Sequence, residues 1–154
     1  MQRFALMFIG ALASAQATKP APSGSAPRAP AEPEIIGEIS GLRNDTGAVL
    51  CSIFAEPGQG YPADSAKAAG LAHSAIKDKR ATCSFKGMRP GKYAIAFIHD
   101  ENNNHVLDKS KLGIPIEGYG ASRDARQPFG PPKFQDAVFD FSGQVLRLEM
   151  RTQY

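Results

Sequence analysis

The run Arg89–Asp100, "RPGKYAIAFIHD", constrains the fold more than any other stretch. Pro90 and Gly91 make a turn, and strand-like residues follow. Successive side chains on a strand point to opposite faces. Tyr93, Ile95 and Phe97 therefore share one face, and Ala94, Ala96 and Ile98 share the other. Both sets are apolar, whereas a strand with one wet face would alternate apolar with polar. This strand has to lie in the middle of a sheet and be covered on both sides, which demands a layered domain. Tyr93 opens the strand straight after the turn. Its hydroxyl is expected to bond a nearby backbone group, as in a tyrosine corner, and to take no part in chemistry.

Period-two patterns continue along the chain. "IIGEISGLR" from Ile35 and "GAVLCSIFA" from Gly47 read as strands joined into a hairpin by the turn "RNDTG". "PADSAKAAG" suits one or two helical turns, with Asp64 as N-cap and Gly70 as the stop. "LAHSAI" and "ATCSF" flank "KDKR", Lys77–Arg80, as a second hairpin with a solvated tip. "FQDAVFDF" and "QVLRLEMR" follow. In the latter, Leu146, Leu148 and Met150 alternate with Arg147, Glu149 and Arg151, which gives one wet face. The count is seven strands and one short helix, an all-β, seven-stranded antiparallel β-sandwich. Glu101 to Lys133 is a long segment rich in polar residues, Gly and Pro. Its Leu112, Ile114, Ile116, Tyr119 and Phe129 predict a loop packed onto the sandwich.

The start of the chain has a different composition. Arg3, the short apolar stretch "FALMFIGALA" and the small residues "ASA" read as a signal peptide over residues 1–17. Residues 18–34 form a Pro/Ala-rich spacer with too few apolar side chains to offset ordering, so it is expected to be disordered. Residues 35–154 hold the β-sandwich domain. No later apolar run could cross a membrane, so the expectation is an exported protein, periplasmic or extracellular, without a transmembrane segment after signal removal. A net charge of +3 with scattered basic residues argues against a nucleic-acid partner. Cys51 and Cys83 lie mid-strand, and export permits a disulfide between them. Two buried free thiols are the alternative.

"HDENNNHVLD", His99–Asp108, packs short oxygen-bearing side chains behind the central strand. With Asp100 as position one, Asn102, Asn104, Val106 and Asp108 fall at three, five, seven and nine. A calcium loop of the EF-hand kind delivers oxygens at those alternating positions, with a main-chain carbonyl at seven. Glu117 could return from the following loop as a further ligand. Position six, normally Gly, is His105, and position twelve, normally a bidentate Glu, is Lys111. Any calcium affinity should therefore fall in the weak class, Kd of roughly 10⁻⁴ to 10⁻³ M. The alternative needs no metal, because Asp and Asn cap their own backbone in Asx-turns. Both readings stay open on spacing alone. A catalytic cluster of His99, Asp100, Glu101 and Glu117 is a third. No nucleophile elbow, zinc-protease helix or phosphate loop supports it, and Ser122 has no nearby His in the sequence to activate it.

The set "GLRNDTG", "RPGKYAIAFIHDENNN", "LDKSKLGIPIEGYGAS" and "GPPKFQDAVFDF" resembles the bacterial family catalogued as domain of unknown function 2141. The usual loop of that family reads His-Asp-Glu-Asn-Gly-Asn-Gly, then Leu-Asp and Gly-Ile-Pro-x-Glu-Gly-Tyr-Gly. His99, Asp100, Glu101, Asn102, Asn104, Leu107, Asp108, Gly113, Ile114, Pro115, Glu117, Gly118, Tyr119, Gly120 and Ser122 agree with it. Asn103 and His105 stand where it has glycines. The resemblance implies an exported sandwich similar to transthyretin-like or carboxypeptidase-regulatory modules, and it implies no activity.

The expected function is a non-catalytic module, structural or binding, with a protein or glycan partner at the cell envelope. The competing expectation is a hydrolase-type enzyme using His99, Asp100 and Glu117. In the first reading His99, Tyr93, Gly113, Pro115 and Tyr119 are structural, and calcium is the only cofactor expected.

Overall fold

The computed structural model describes residues 31–154. The expected signal peptide and all but the last four residues of the expected spacer lie outside them. Eight strands form two sheets: β1 Glu34–Ser40, β2 Ala48–Ala55, β3 Gly70–Ala75, β4 Ala81–Lys86, β5 Gly91–Asp100, β6 Gly118–Ala121, β7 Phe139–Phe141 and β8 Val145–Arg151. One sheet runs β4-β1-β8, and the other β3-β2-β5-β6, with β7 also on β5. A single helical turn, α1 Phe134–Ala137, precedes β7.

β5 is the central strand. β2 pairs with it from Tyr93 to Asp100, while β7 and β6 share its other edge. Its Tyr93, Ile95 and Phe97 enter the main core between the sheets, with Ile35, Ile39, Val49, Ile53, Phe85 and Met150. Its Ala94 and Ala96 face outward, under a second cluster with Phe54, Ala121, Ala125, Phe134 and Ala137. Small side chains on that outer face leave room for Ala125, Phe134 and Ala137 to pack upon it. Ser122 fastens this cover: fully buried, its hydroxyl donates to Ala137 O at 2.6 Å and accepts from Ile95 N at 3.0 Å. Tyr93 Oη donates to the Arg89 carbonyl at 2.9 Å, across the turn before the strand. Cys51 and Cys83 form a disulfide that joins β2 of one sheet to β4 of the other, with Cα atoms 6.4 Å apart.

Three features differ from the sequence reading. Among the described residues there are eight strands, not seven, and one sheet is mixed because β1 runs parallel to β8. The extra strand is β6, "GYGA", whose glycines conceal it from a propensity reading. A Cβ on Gly120 would sit 2.4 Å from Phe97 Cζ, so the strand can approach β5 only with glycine there. "FQDAVFDF" divides into α1 and β7 and is not one strand.

The two expected hairpins are not ladders either. β1 pairs with β4 and β8, and β2 pairs with β3 and β5, so each expected partner sits in the opposite sheet. Alternation tells which side chains face inward, but neighbours across the core and neighbours in a ladder satisfy it equally. At "KDKR" the tip itself forms, with Lys77 N to Arg80 O at 2.9 Å and Arg80 N to Lys77 O at 3.0 Å, after which the strands diverge. Asp45 caps it, accepting from Asp78 N at 3.1 Å and Lys79 N at 2.7 Å. "PADSAKAAG" makes a 3-10 turn at Ser65–Lys67, without a side-chain cap bond from Asp64, and Gly70 opens β3.

Candidate functional site

β5 ends at Asp100, and the register of β2 places Ala48 opposite it. The turn before β2 therefore meets the loop after β5 at one end of the sandwich. Asp100 is fully buried. Its carboxylate accepts Asn104 N at 3.1 Å through Oδ1 and His105 N at 2.8 Å through Oδ2. Those bonds close the first turn of the loop. Asn102 Oδ1 also accepts Asn104 N at 3.0 Å, and Asn104 Oδ1 accepts Val106 N at 2.9 Å, a succession of Asx-turns. The side-chain amides of Asn102 and Asn104 donate to Asp108 at 2.6 and 3.0 Å. Asn103 and His105 take left-handed conformations, φ 58° and 64°. Asn and His both occur there more often than most non-glycine residues, although glycine alone adopts it freely.

Glu117 closes the loop from its far side. It is 4% exposed, and its two carboxylate oxygens accept Glu101 N at 2.8 Å and Asp108 N at 3.0 Å. One carboxylate thus ties together the start, middle and end of the segment. Between Asp108 and Glu117 the chain makes a small hairpin, with Ile116 N bonded to Asp108 O, Ser110 N to Ile114 O, and Lys109 bridged to Pro115. Gly113, at φ 77°, supplies the turn. Tyr119 follows in β6, half-buried and paired to Gln153 through both backbone groups.

The loop is held by hydrogen bonds and not by apolar burial. Leu112, Ile114 and Ile116 are 84, 60 and 51% exposed, and Phe129 is 96% exposed. This corrects the expectation that these residues pack onto the sandwich. The carboxylates already anchor the hairpin, so its apolar side chains are free to point outward.

His99 is fully buried beside this cluster. Nε2 lies 2.8 Å from the Thr46 carbonyl and Nδ1 lies 2.8 Å from Tyr154 Oη. A carbonyl only accepts, so Nε2 carries the proton and Nδ1 accepts from the tyrosine. Tyr154 Oη in turn accepts Arg43 N at 2.8 Å. The Arg43 guanidinium sits 4.7 Å over the Tyr154 ring and pairs with Glu101. Asn44 Nδ2 also donates to Glu101, at 3.1 Å. Burial pushes the Glu101 carboxyl up, but hydrogen bonds from Asn44 and Arg43 and the charge of Arg43 outweigh it, so the carboxyl titrates below its ordinary value. Burial is the main reason the Tyr154 phenol is raised.

Every polar atom of His99, Asp100 and Glu117 is thus engaged, and the imidazole does not reach solvent. The polar surface cleft between Glu38, Arg80, Asp124, Glu149 and Arg151 includes none of the three. Of the residues expected to hold calcium, Asp100, Asn102, Asn104 and Asp108 gather on the loop. Glu117 is committed to backbone amides, and Val106 gives its N–H to Asn104. Among the described residues no three His, Cys, Asp or Glu side chains form an ion-holding group. Sequence reasoning missed Arg43, Asn44, Thr46 and Tyr154. The polar run "RNDTG" was a signal for the first three once β2 is set antiparallel to β5; a lone terminal tyrosine carried none.

A family model described as an uncharacterized protein conserved in bacteria (DUF2141) matches residues 38–149. No curated protein and no solved structure matches. No helix among the described residues is long and apolar enough to cross a membrane.

Proposed function

The chain belongs to this bacterial family of uncharacterized proteins, and on that premise we propose that it is an exported, non-catalytic β-sandwich module that binds or supports a partner at the cell envelope. The sandwich is read as of the transthyretin-like or carboxypeptidase-regulatory kind. One observation carries the reading. The three side chains a hydrolase would need, His99, Asp100 and Glu117, are buried and spend their polar atoms on Thr46, Tyr154 and four backbone amides. A general base must reach the proton it abstracts. These groups instead shape backbone, and the shape they make is a stiff hairpin with Leu112, Ile114 and Ile116 facing outward. Solvent-facing apolar side chains on a rigid element suit contact with an envelope protein or glycan. The disulfide is compatible with an oxidising compartment.

A weak calcium seat is part of the same proposal. The amides of Asn102 and Asn104 present N–H groups to the Asp108 carboxylate, where a cation would present its charge. An amide flip would turn both oxygens toward Asp108 and build an oxygen-lined seat with Asp100. The flip gives up the bonds from Asn104 N and Val106 N, at about 1 kcal/mol each, and the two amide bonds to the Asp108 carboxylate, at about 1.5–3 kcal/mol each, which keeps the affinity low. The test is a pair of melting experiments. Calcium at about 10 mM should raise the melting temperature of the wild type and leave Asp108→Asn unmoved. Identical traces with and without calcium in the wild type end the calcium proposal. His99→Ala should destabilise the fold by roughly 2–4 kcal/mol, as truncation of a buried, bonded side chain does. Full stability with loss of a hydrolytic turnover would overturn the non-catalytic reading.

A further inference from the structure

His73 and His105 come from distant parts of the chain and meet on the surface. His73 lies on β3, in the cross-strand row of Leu50, Ile98 and Tyr119, so it stands on the outer face of the five-stranded sheet. His105 comes from the loop, which curls over that face. Their ring centroids are 6.3 Å apart, with planes inclined at 65°. Both are exposed. Each backbone is held in place: His73 by the β2–β3 ladder, His105 by Asp100 Oδ2 on its N–H at 2.8 Å.

His105 also has an unfavourable backbone. Its φ of 64° is one that glycine adopts freely and an imidazole-bearing residue adopts at a cost. Nothing in the loop's hydrogen bonds uses the ring. A residue in that conformation whose ring contributes nothing to the loop's hydrogen bonds and meets a second imidazole is an observation that points outward. Ions bound by imidazole take nitrogen at about 2.0–2.1 Å. Allowing roughly 1.2 Å from nitrogen to ring centre, two imidazoles on one ion have centres about 4.6 Å apart at a right angle, about 5.3 Å at the tetrahedral angle and about 6.5 Å when they lie opposite each other. The observed 6.3 Å corresponds to an angle of roughly 150° at the ion, which suits two nearly opposite positions on a tetragonal copper(II) or nickel(II) ion better than tetrahedral zinc.

We propose that His73 and His105 form a two-imidazole seat for a divalent transition-metal ion, which staples the loop after β5 to the edge strand β3. Water completes the coordination, since no third His, Cys, Asp or Glu stands with the pair among the described residues. The seat is distinct from the calcium seat in chemistry, because imidazole selects copper, nickel and zinc over calcium and magnesium.

The test uses the untagged full chain, stripped of metal. Copper(II), nickel(II) and zinc(II) are titrated separately, against a chromophoric chelator and in thermal melts. The wild type should bind one ion, most tightly for copper, and should melt at a higher temperature when loaded. His73→Ala and His105→Gly should each weaken binding at least tenfold and remove the metal-dependent rise. His105→Gly relieves the backbone at φ 64°, so without metal it should melt at or above the wild-type temperature. That guards against misfolding as the cause of lost binding. Unchanged affinity in either variant, or no binding by the wild type at millimolar metal, overturns the proposal.

Discussion

Glu117→Gln tests whether a carboxylate folds the loop. The substitution keeps the shape of the side chain and changes one oxygen to an NH2 group. In the wild type the two oxygens accept Glu101 N at 2.8 Å and Asp108 N at 3.0 Å, and the group is 4% exposed. Hydrogen bonds to charged groups contribute about 1.5–3 kcal/mol each, against about 1 kcal/mol for a neutral one. In the variant one bond becomes neutral, and the other is replaced by two donors facing each other. The buried carboxylate also had a desolvation cost, which the variant regains in part. The net loss should be about 2–4 kcal/mol. For roughly 120 ordered residues the unfolding entropy is about 250 cal/mol/K, so the melting temperature should fall by roughly 8–15 °C. Circular dichroism melts and urea titrations at neutral pH in a calcium chelator measure this directly. A fall of less than about 2 °C would refute the clamp. A fall seen only when calcium is present would make Glu117 a metal ligand instead.

Replacing both Cys51 and Cys83 with Ala opens a loop with a sequence separation of 32; chain entropy puts the loss at about 3–4 kcal/mol, read as a lower urea midpoint that reducing agent produces in the wild type alone. The Glu101 carboxyl is lowered from its ordinary value of 4.5. A depressed carboxyl contributes stability that is present above the unfolded value and is lost as pH falls through the folded one. Stability should therefore drop on acidification below about pH 4.5, and Glu101→Gln should flatten that part of the profile. An unchanged acid limb in the variant would remove Glu101 from the account.

Much of the outline was legible in local chemistry. The doubly apolar "YAIAFI" demanded a central strand, and β5 is one, because a strand covered on both faces can show no polar alternation. "VLRLEMR" announced one wet face, and β8 has it. Asp and Asn at alternating positions after Ile98 marked a loop folded by its own side chains, since those groups reach backbone N–H groups only a few residues away. These features depend on neighbours in sequence, so sequence suffices to read them.

The rest depends on which distant segments meet. Alternation sends a side chain inward but does not choose its ladder partner, so the β1–β2 hairpin was a reasonable inference and a wrong one. β6 is a strand because Phe97 and the chain end leave a slot only glycine fits, a fact about neighbours and not about "GYGA". Leu112, Ile114 and Ile116 have the composition of a packed loop, yet Glu117 holds the backbone firmly enough that they need not bury. The partners of His99, and the meeting of His73 with His105, come from the register of antiparallel strands folded over one another. Short-range hydrogen bonding is written along the chain; long-range contact is decided when the sheets close.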